Sequence, residues 1–289
     1  MKKEEKSMSI LITGGTGYIG INLAIGFLKE NKKVILLGRK IEPKIVSKLK
    51  EEFNDLVQYY SVNLLDEGEI RKVFEKNRDI TSVLHCASNK KFKKDDNNLA
   101  SYYQNNISTI ITLLNVMRQY QVKHIIFSSS ASIYEKSTDC LNQREDMELI
   151  IPKNSYGKSK YIIEEILKDI AETEKDWKID ILRIFNPIGI LPFFDKESGY
   201  EILKKANNLM TNIALVASGE KEKIDIYVGK EKDLNKVGIR DYISMSDLFE
   251  IYKILINGSR ERNEGLTIYN AGTRNKVWYF RIDRSISRC

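Results

Sequence analysis

The run SILIT at 9–13 leads without a break into TGGTGYIG at 13–20 and on into the helical stretch YIGINLAIGFLKE. An apolar strand that turns through Gly14, Gly17 and Gly20 and re-emerges as a helix commits the chain to a strand–turn–helix unit, because glycine allows so tight a turn and so close a backbone approach. The helix presents unpaired N–H groups and the positive end of its dipole at that turn, an anion site suited to a dinucleotide pyrophosphate. A Walker-type phosphate loop is excluded at the GlyLys pair 157–158, where Pro152 stands in the place of that motif's first glycine.

Short apolar, β-rich runs then recur: KVILL at 33–37, VQYYSV at 57–62, SVLHCA at 82–87, KHIIFS at 123–128 and IDILRIF at 179–185. Each is separated from the next by enough chain for a crossover helix, the pattern of a parallel sheet covered on both faces. A helix over 99–121 carries Ile107, Ile110, Ile111, Leu113, Leu114 and Met117 on one broad face, and a helix over 155–174 does the same with Ile162, Ile163, Ile166, Leu167 and Ile170. The fold class expected is α/β, a Rossmann-type doubly wound parallel sheet. Past Asn186, NPIGILPFFDKESG gathers two of the four prolines and two glycines, and strand-like runs thin out. This divides the chain into a dinucleotide-binding domain over 8–185 and a smaller, loop-rich substrate-binding lobe over 186–289, some of whose strands or helices return to the first domain.

A net charge of +7 raises the question of nucleic acid, but 40 acidic residues are interleaved with the 47 basic ones, as in RERNEG, and no basic stripe with interspersed aromatics appears. The expectation is a solvated surface and no nucleic-acid partner. Cys86, Cys140 and Cys289 are widely spaced and only two histidines exist, which fits reduced thiols and no metal site. His85 and His124, in or before apolar strands, are read as structural. MKKEEKS lacks a following apolar core, and no run approaches the ~20 apolar residues of a membrane span, so the expected location is cytoplasmic, with no membrane partner.

In an NAD site an acidic residue after the second strand accepts hydrogen bonds from the ribose hydroxyls, whereas an Arg accommodates the 2′-phosphate of NADP. Here that strand ends in Gly38 and Arg39, which on chemistry alone leans toward NADP. The fifth strand ends in IIFSSSASIY, placing hydroxyls at the sheet's carboxyl edge, where open α/β folds bind ligands. It is followed by NSYGKSKY at 154–161, with Tyr156 and Lys160 stacked on one helix face by their spacing. A phenol titrates near 10 and becomes a useful base at neutral pH only where positive charge favours its phenolate; Lys160 and a cationic nicotinamide would supply that charge. The same spacing at Tyr200 and Lys204 lacks this context.

Together with VLHCASNK at 83–90, YYQNNISTIITLLNVM at 102–117, LRIFNPIG at 182–189, NNLM at 207–210 and GIRDYISMSDL at 238–248, these stretches resemble the extended short-chain dehydrogenase/reductase superfamily in its NAD-dependent epimerase/dehydratase branch, most closely its nucleotide-sugar 4-epimerases. The resemblance spans roughly residues 8–273. It implies a nicotinamide cofactor, a UDP-sugar of the glucose/galactose type as substrate, and transient oxidation at C4. Tyr156 would be the general base, Lys160 its electrostatic partner, and Ser130 the hydrogen-bond partner of the sugar 4-hydroxyl. Gly14, Gly17, Tyr18, Ile19 and Gly20 would cradle the pyrophosphate; Arg39, Asn63 and Leu64 would lie at the adenosine end; Ala87, Lys90, Asn105 and Ser128 would line the groove with Tyr156 and Lys160. Asn186, Asn208, Leu209 and Arg240 would hold the sugar nucleotide, Arg240 on its diphosphate. A homodimer through the two long helices is also implied.

The departures from the family pattern are Gly38 with Arg39 in place of the acid, Asn63 in place of an Asp, and VWYFRIDRSISRC after residue 276, where the family continues with an amphipathic helix; the lobe is thus expected to be C-terminally truncated. NAD is the expected cofactor, with NADP as the alternative. Two rival functions follow: an NADPH-dependent 4-ketosugar reductase, or a truncated, catalytically silent nucleotide binder. A 4,6-dehydratase would carry an acid beside the strand-end hydroxyl, and Ser130, Ala131 and Ser132 provide none.

Overall fold

A computed structural model describes residues 8–39, 43–90, 98–134, 143–193, 196–206, 208–224, 240–258 and 265–277. In chain order the elements are β1 (Ser9–Thr13), α1 (Tyr18–Lys29), β2 (Lys33–Gly38), α2 (Pro43–Phe53), β3 (Val57–Ser61), α3 (Glu67–Lys76), β4 (Ile80–His85), α4 (Leu99–Tyr103), α5 (Thr109–Gln119), β5 (His124–Ser130), α6 (Ser155–Thr173), β6 (Lys178–Ile184), β7 (Asn186–Ile188), α7 (Lys196–Ala206), α8 (Leu209–Ala217), β8 (Arg240–Ser244), α9 (Met245–Gly258), β9 (Gly265–Ala271) and β10 (Lys276–Val277). The fourth strand lies two residues earlier than its expected span of 82–87, so Cys86 and Ala87 belong to the loop beyond the strand, where they meet the glycine turn. The unusual tail at 278–289, Cys140 and Cys289 lie outside the described residues, as does the side chain of Tyr200.

The main sheet runs β3-β2-β1-β4-β5-β6-β9, with every pairing parallel. β1 and β4 are neighbours although two strands separate them in sequence, so the order reverses there. That reversal opens the crevice at the carboxyl ends of the strands where open α/β sheets bind ligands. β1 is buried along its whole length because a parallel strand is covered on both faces, which is why SILIT reads as a continuous apolar run rather than an alternation. One apolar layer is built on α1 and α9, with Ile21, Leu23, Leu36, Leu248 and Tyr252. The opposite layer is built on α3, α5 and α6, with Phe74, Leu113, Met117, Ile163 and Trp177.

β9, from the stretch beyond Asn186, pairs with β6 from Lys178↔Gly265 to Ile184↔Ala271 and completes the sheet as its seventh strand. β7, β8 and β10 form a separate three-stranded sheet in the order β10-β8-β7. The helix expected over 99–121 is interrupted: a π-helical turn, Gln104–Ser108, joins α4 to α5. This wider turn carries Asn106 inward, where it is buried and binds the loop after β4; such turns inside helices recur at functional sites.

Candidate active site

The glycine turn is a cradle made of backbone. Gly14 has φ +63°, and a Cβ built on it would lie 2.8 Å from the Ala87 nitrogen. Gly20 approaches the turn so closely that a Cβ there would sit 2.3 Å from the Gly14 carbonyl oxygen. Gly17 donates to that same oxygen at 2.8 Å and caps α1, whose first turn holds no acidic residue. The N–H groups and dipole of that end are therefore available to an anionic group lying over the turn, and these residues fit a dinucleotide pyrophosphate. Ile19 is half-buried, while Tyr18 points inward and donates to the Gly189 carbonyl at 2.5 Å.

Around this cradle the strand ends supply the groove. At β2, Gly38 passes beside Thr16, and exposed Arg39 places Nη2 3.4 Å from Asn89 Oδ1. After β3, Asn63 is exposed, its Oδ1 accepting from the Leu65 N–H at 3.2 Å, while Leu64 is buried. After β4, the Ala87 N–H donates to Thr13 Oγ1 at 3.4 Å, and Lys90 ends the described loop with an exposed side chain whose amine is nonetheless drawn below its ordinary value by burial. Asn105 on the π-turn is occupied with its own helix, donating to the Ser101 carbonyl at 2.8 Å.

At the end of β5 stand the titratable groups. Asn154 caps α6, its Oδ1 accepting from the Gly157 N–H at 2.6 Å, so Tyr156 lies in the first turn and Lys160 in the next. Lys160 is 2% exposed; its ammonium donates to the Ser128 carbonyl at 2.8 Å and stands 5.7 Å from the centre of the Tyr156 ring. Burial pulls the Lys160 amine down to about 7, with Cys86 opposing, Lys90 adding to the fall and Glu164 opposing it. Burial pushes the Tyr156 phenol up to about 12; a hydrogen bond with Ser130 opposes the rise and Tyr102 adds to it. The depressed phenol expected from Lys160 is thus not produced by the protein groups themselves. Desolvation dominates, and the Lys160 ammonium is turned toward a main-chain carbonyl. Ser128 contributes its carbonyl to Lys160, while its hydroxyl faces away toward Tyr252 (2.7 Å) and Cys86 (3.2 Å).

Across the groove the small sheet gathers the other candidates. Asn186 Nδ2 donates to the Asp241 carbonyl at 2.8 Å. Asn208 caps α8, its Oδ1 accepting from the Thr211 N–H at 2.9 Å and its Nδ2 donating to the Pro187 carbonyl at 3.1 Å. Leu209 is half-buried beside it, and Arg240 begins β8 with its side chain exposed.

Sequence reasoning missed three supports. Asn106 clamps the loop after β4, with Oδ1 accepting from the Asn89 N–H at 2.8 Å and Nδ2 donating to the Asn89 carbonyl at 3.2 Å and to Ser159 Oγ at 3.3 Å. Glu164, one turn beyond Lys160, accepts from Ser129 Oγ and pairs with Arg183 at 2.8 Å, both side chains at most 1% exposed. Arg183 in turn reaches Tyr134 (2.6 Å) and the Glu145 carbonyl (3.1 Å). An acid on the apolar face of an amphipathic helix was the available signal for Glu164, since buried charges demand partners. His85 packs within the fold, its Nδ1 2.9 Å from Thr13 Oγ1, and burial takes it down to about 3, so it stays neutral. His124 lies 2.8 Å from Ser82 Oγ and 3.4 Å from Asp180.

Residues 10–272 match the NAD dependent epimerase/dehydratase family. A UDP-glucose 4-epimerase of Pasteurella multocida is 34% identical over 271 residues, covering 92% of this chain and 78% of that protein. UDP-glucose 4-epimerase 2 of Arabidopsis thaliana is 32% identical over 277 residues, covering 92% and 76%. Among solved structures, UDP-glucose 4-epimerase from Bifidobacterium longum, in complex with NAD+ and UDP, superposes with a TM-score of 0.81 at 29% identity over 96% of this chain and 82% of that one.

Two outcomes follow from the buried charges. Glu164→Gln leaves Arg183 with a buried, unbalanced charge and is expected to cost about 3 kcal/mol or more, read as a shift in urea-unfolding midpoint; a loss below about 1 kcal/mol, as for exposed pairs, contradicts it. The Lys160 amine is lowered from 10.5 to about 7 on folding, so between those values the unfolded chain binds a proton that the native state does not. Stability therefore rises with pH across that window and levels off below about 7. In Lys160→Met this component disappears, and parallel unfolding curves of the two proteins across the window would contradict it.

Proposed function

The chain belongs to the NAD dependent epimerase/dehydratase family, and from that premise we propose that it is a nucleotide-sugar 4-epimerase of the UDP-glucose/UDP-galactose type, acting by transient oxidation at C4 with a bound nicotinamide cofactor. The observation that carries this reading is the meeting of Tyr156, Ser130 and buried Lys160 at the end of β5, beside the glycine cradle.

Gly14, Gly17, Tyr18, Ile19 and Gly20 would hold NAD, which when bound would supply a hydride acceptor and donor and, oxidised, a positive ring. Ser130 binds the sugar 4-hydroxyl and Tyr156 takes its proton, assisted by its place in the first turn of α6, where the helix dipole favours negative charge. Lys160, fixed by the Ser128 carbonyl, keeps the base oriented and holds the ribose end of the groove. Asn186, Asn208, Leu209 and Arg240 retain the nucleotide diphosphate while the 4-keto sugar turns its other face, after which Tyr156 returns the proton.

The relatives' names and the NAD+ and UDP bound in the Bifidobacterium structure support the substrate class. The test is incubation of the purified protein with UDP-galactose. UDP-glucose should form with no stoichiometric use of added cofactor, and Tyr156→Phe should lose about 10²–10⁴-fold in rate while still retaining NAD. No conversion of UDP-galactose together with NADPH oxidation when a nucleotide 4-ketosugar is supplied would instead indicate a reductase, and nucleotide binding without turnover a silent binder.

The same reading extends to assembly as a homodimer. Ile111 on α5 is 41% exposed, and Ile162 and Ile166 on α6 are half-exposed, leaving apolar side chains on the two long helices for a second copy to cover. Light scattering should give twice the chain mass, and Ile111→Glu with Ile166→Glu should halve it; a monomeric parent protein at micromolar concentration would rule the dimer out. Among the described residues no helix is long and apolar enough to cross a membrane. A cytoplasmic setting goes with the reading.

A further inference from the structure

At the adenosine end of the groove the charge distribution exceeds what a ribose diol requires. β2 closes on Gly38, and a Cβ built there would lie 2.9 Å from Thr16 Oγ1. The glycine turn therefore occupies the space through which an acidic side chain would reach the ribose 2′-hydroxyl. Arg39 follows in solvent, with a single side-chain contact among the described residues, the 3.4 Å one to Asn89 Oδ1. At the same turn, Lys205 on α7 donates to the Thr16 carbonyl at 3.2 Å. Thr16 is thus the common point: its hydroxyl faces Gly38 and its carbonyl holds a second cation.

The neighbouring charges reinforce this balance. Lys204 engages Glu201 at 2.8 Å and Glu220 at 3.6 Å, and Lys205 and Lys44 both lie close enough to help hold the Glu201 carboxyl below its ordinary value. Among the described residues the rim therefore carries Arg39, Lys44, Lys204 and Lys205 against Glu201 and Glu220, a surplus of two positive charges around a position with no side chain of its own.

We infer that the adenosine-ribose end of this groove accepts a 2′-phosphate, so that the chain binds NADP+ as well as NAD+, with Arg39 and Lys205 as the phosphate's counter-charges and Thr16 Oγ1 as a hydrogen-bond donor to it. A planar guanidinium meets a phosphate with two parallel hydrogen bonds, an ammonium meets it as a point charge, and both prefer the extra negative charge of the 2′-phosphate to a neutral diol. Gly38 leaves no carboxylate there to repel it. The inference rests on the reading of the glycine cradle as a dinucleotide site and adds the chemistry of its far end.

The experiment is calorimetric titration of the nucleotide-stripped full chain with NAD+ and with NADP+. NADP+ should bind within about tenfold of NAD+, and its affinity should fall more steeply with added salt, because more charge is screened. Arg39→Ala should weaken NADP+ about tenfold or more, and Lys205→Ala about threefold or more, each weakening NADP+ at least about threefold more than NAD+. Measuring both nucleotides on each variant separates a lost contact from a misfolded protein, which would lose both. NADP+ binding more than about tenfold weaker than NAD+ in the parent chain, or variants that weaken both nucleotides alike, overturns the inference alone. Failure to bind either nucleotide overturns the dinucleotide site itself.

Discussion

An ammonium group 2% exposed must find its partners inside the fold, and Lys160 finds one in the Ser128 carbonyl 2.8 Å away. That hydrogen bond fixes α6 against the carboxyl end of β5, and Tyr156, one turn earlier on the same helix face, takes its position from it. The burial is costly in a low-dielectric interior, and the structure answers with a second charge layer one turn further along. Glu164 lies there, saturated by Arg183 and Ser129, and its negative charge partly offsets the fall in the Lys160 amine. The helix thus carries phenol, ammonium and carboxylate in successive turns, and the last of them is anchored through Arg183 to Tyr134 and the segment at 144–145. A shift of any of these elements would expose an uncompensated buried charge, which confines the site to one geometry.

The glycine cradle depends on a different kind of constraint, the approach of backbone to backbone. Gly14 against Ala87 leaves no volume for a side chain, so the turn after β1 and the loop after β4 are held in register by contact alone. The same turn is tied to the chain beyond β7: Tyr18 donates to the Gly189 carbonyl, Asn22 accepts from the Leu191 N–H at 2.7 Å, and Lys29 donates to the Pro192 carbonyl. The first helix of the sheet therefore supports both the cofactor side and the strand that carries Asn186. A sugar nucleotide and a dinucleotide bound on the two sides would meet across a seam tied by these three hydrogen bonds.

Much of this was legible because period and punctuation agree along the first two-thirds of the chain. Continuous apolar runs such as KVILL announce strands buried on both faces, and the glycine spacing after SILIT, with the SYGKSK turn, announces where the chemistry sits. What escaped reading was set by long-range partners. Nothing near Glu164 in sequence names Arg183, and the inward Asn106 depends on a π-turn that the helical period hides. The seventh strand, GLTIYNA, carries only half-buried residues before its last position. As an edge strand it lacks the apolar run that marks its neighbours, and it is recruited by pairing with β6 rather than by its own pattern. The upward shift of the Tyr156 phenol was equally invisible, because helical spacing reports proximity to Lys160 but not the desolvation that both groups share.

That shared desolvation has a chemical consequence. In water a phenol and an amine titrate within about half a unit of each other; in this site the phenol stands at about 12 and the amine at about 7, so at neutral pH the protein groups alone favour a neutral tyrosine beside a lysine near half-protonation. Neither is then a strong base toward a sugar hydroxyl. An oxidised nicotinamide held in the same low-dielectric space would draw the phenol down, because a positive charge acts strongly there. On the proposed reading, Tyr156 would lose its proton more readily beside an oxidised, positive ring than beside a neutral one.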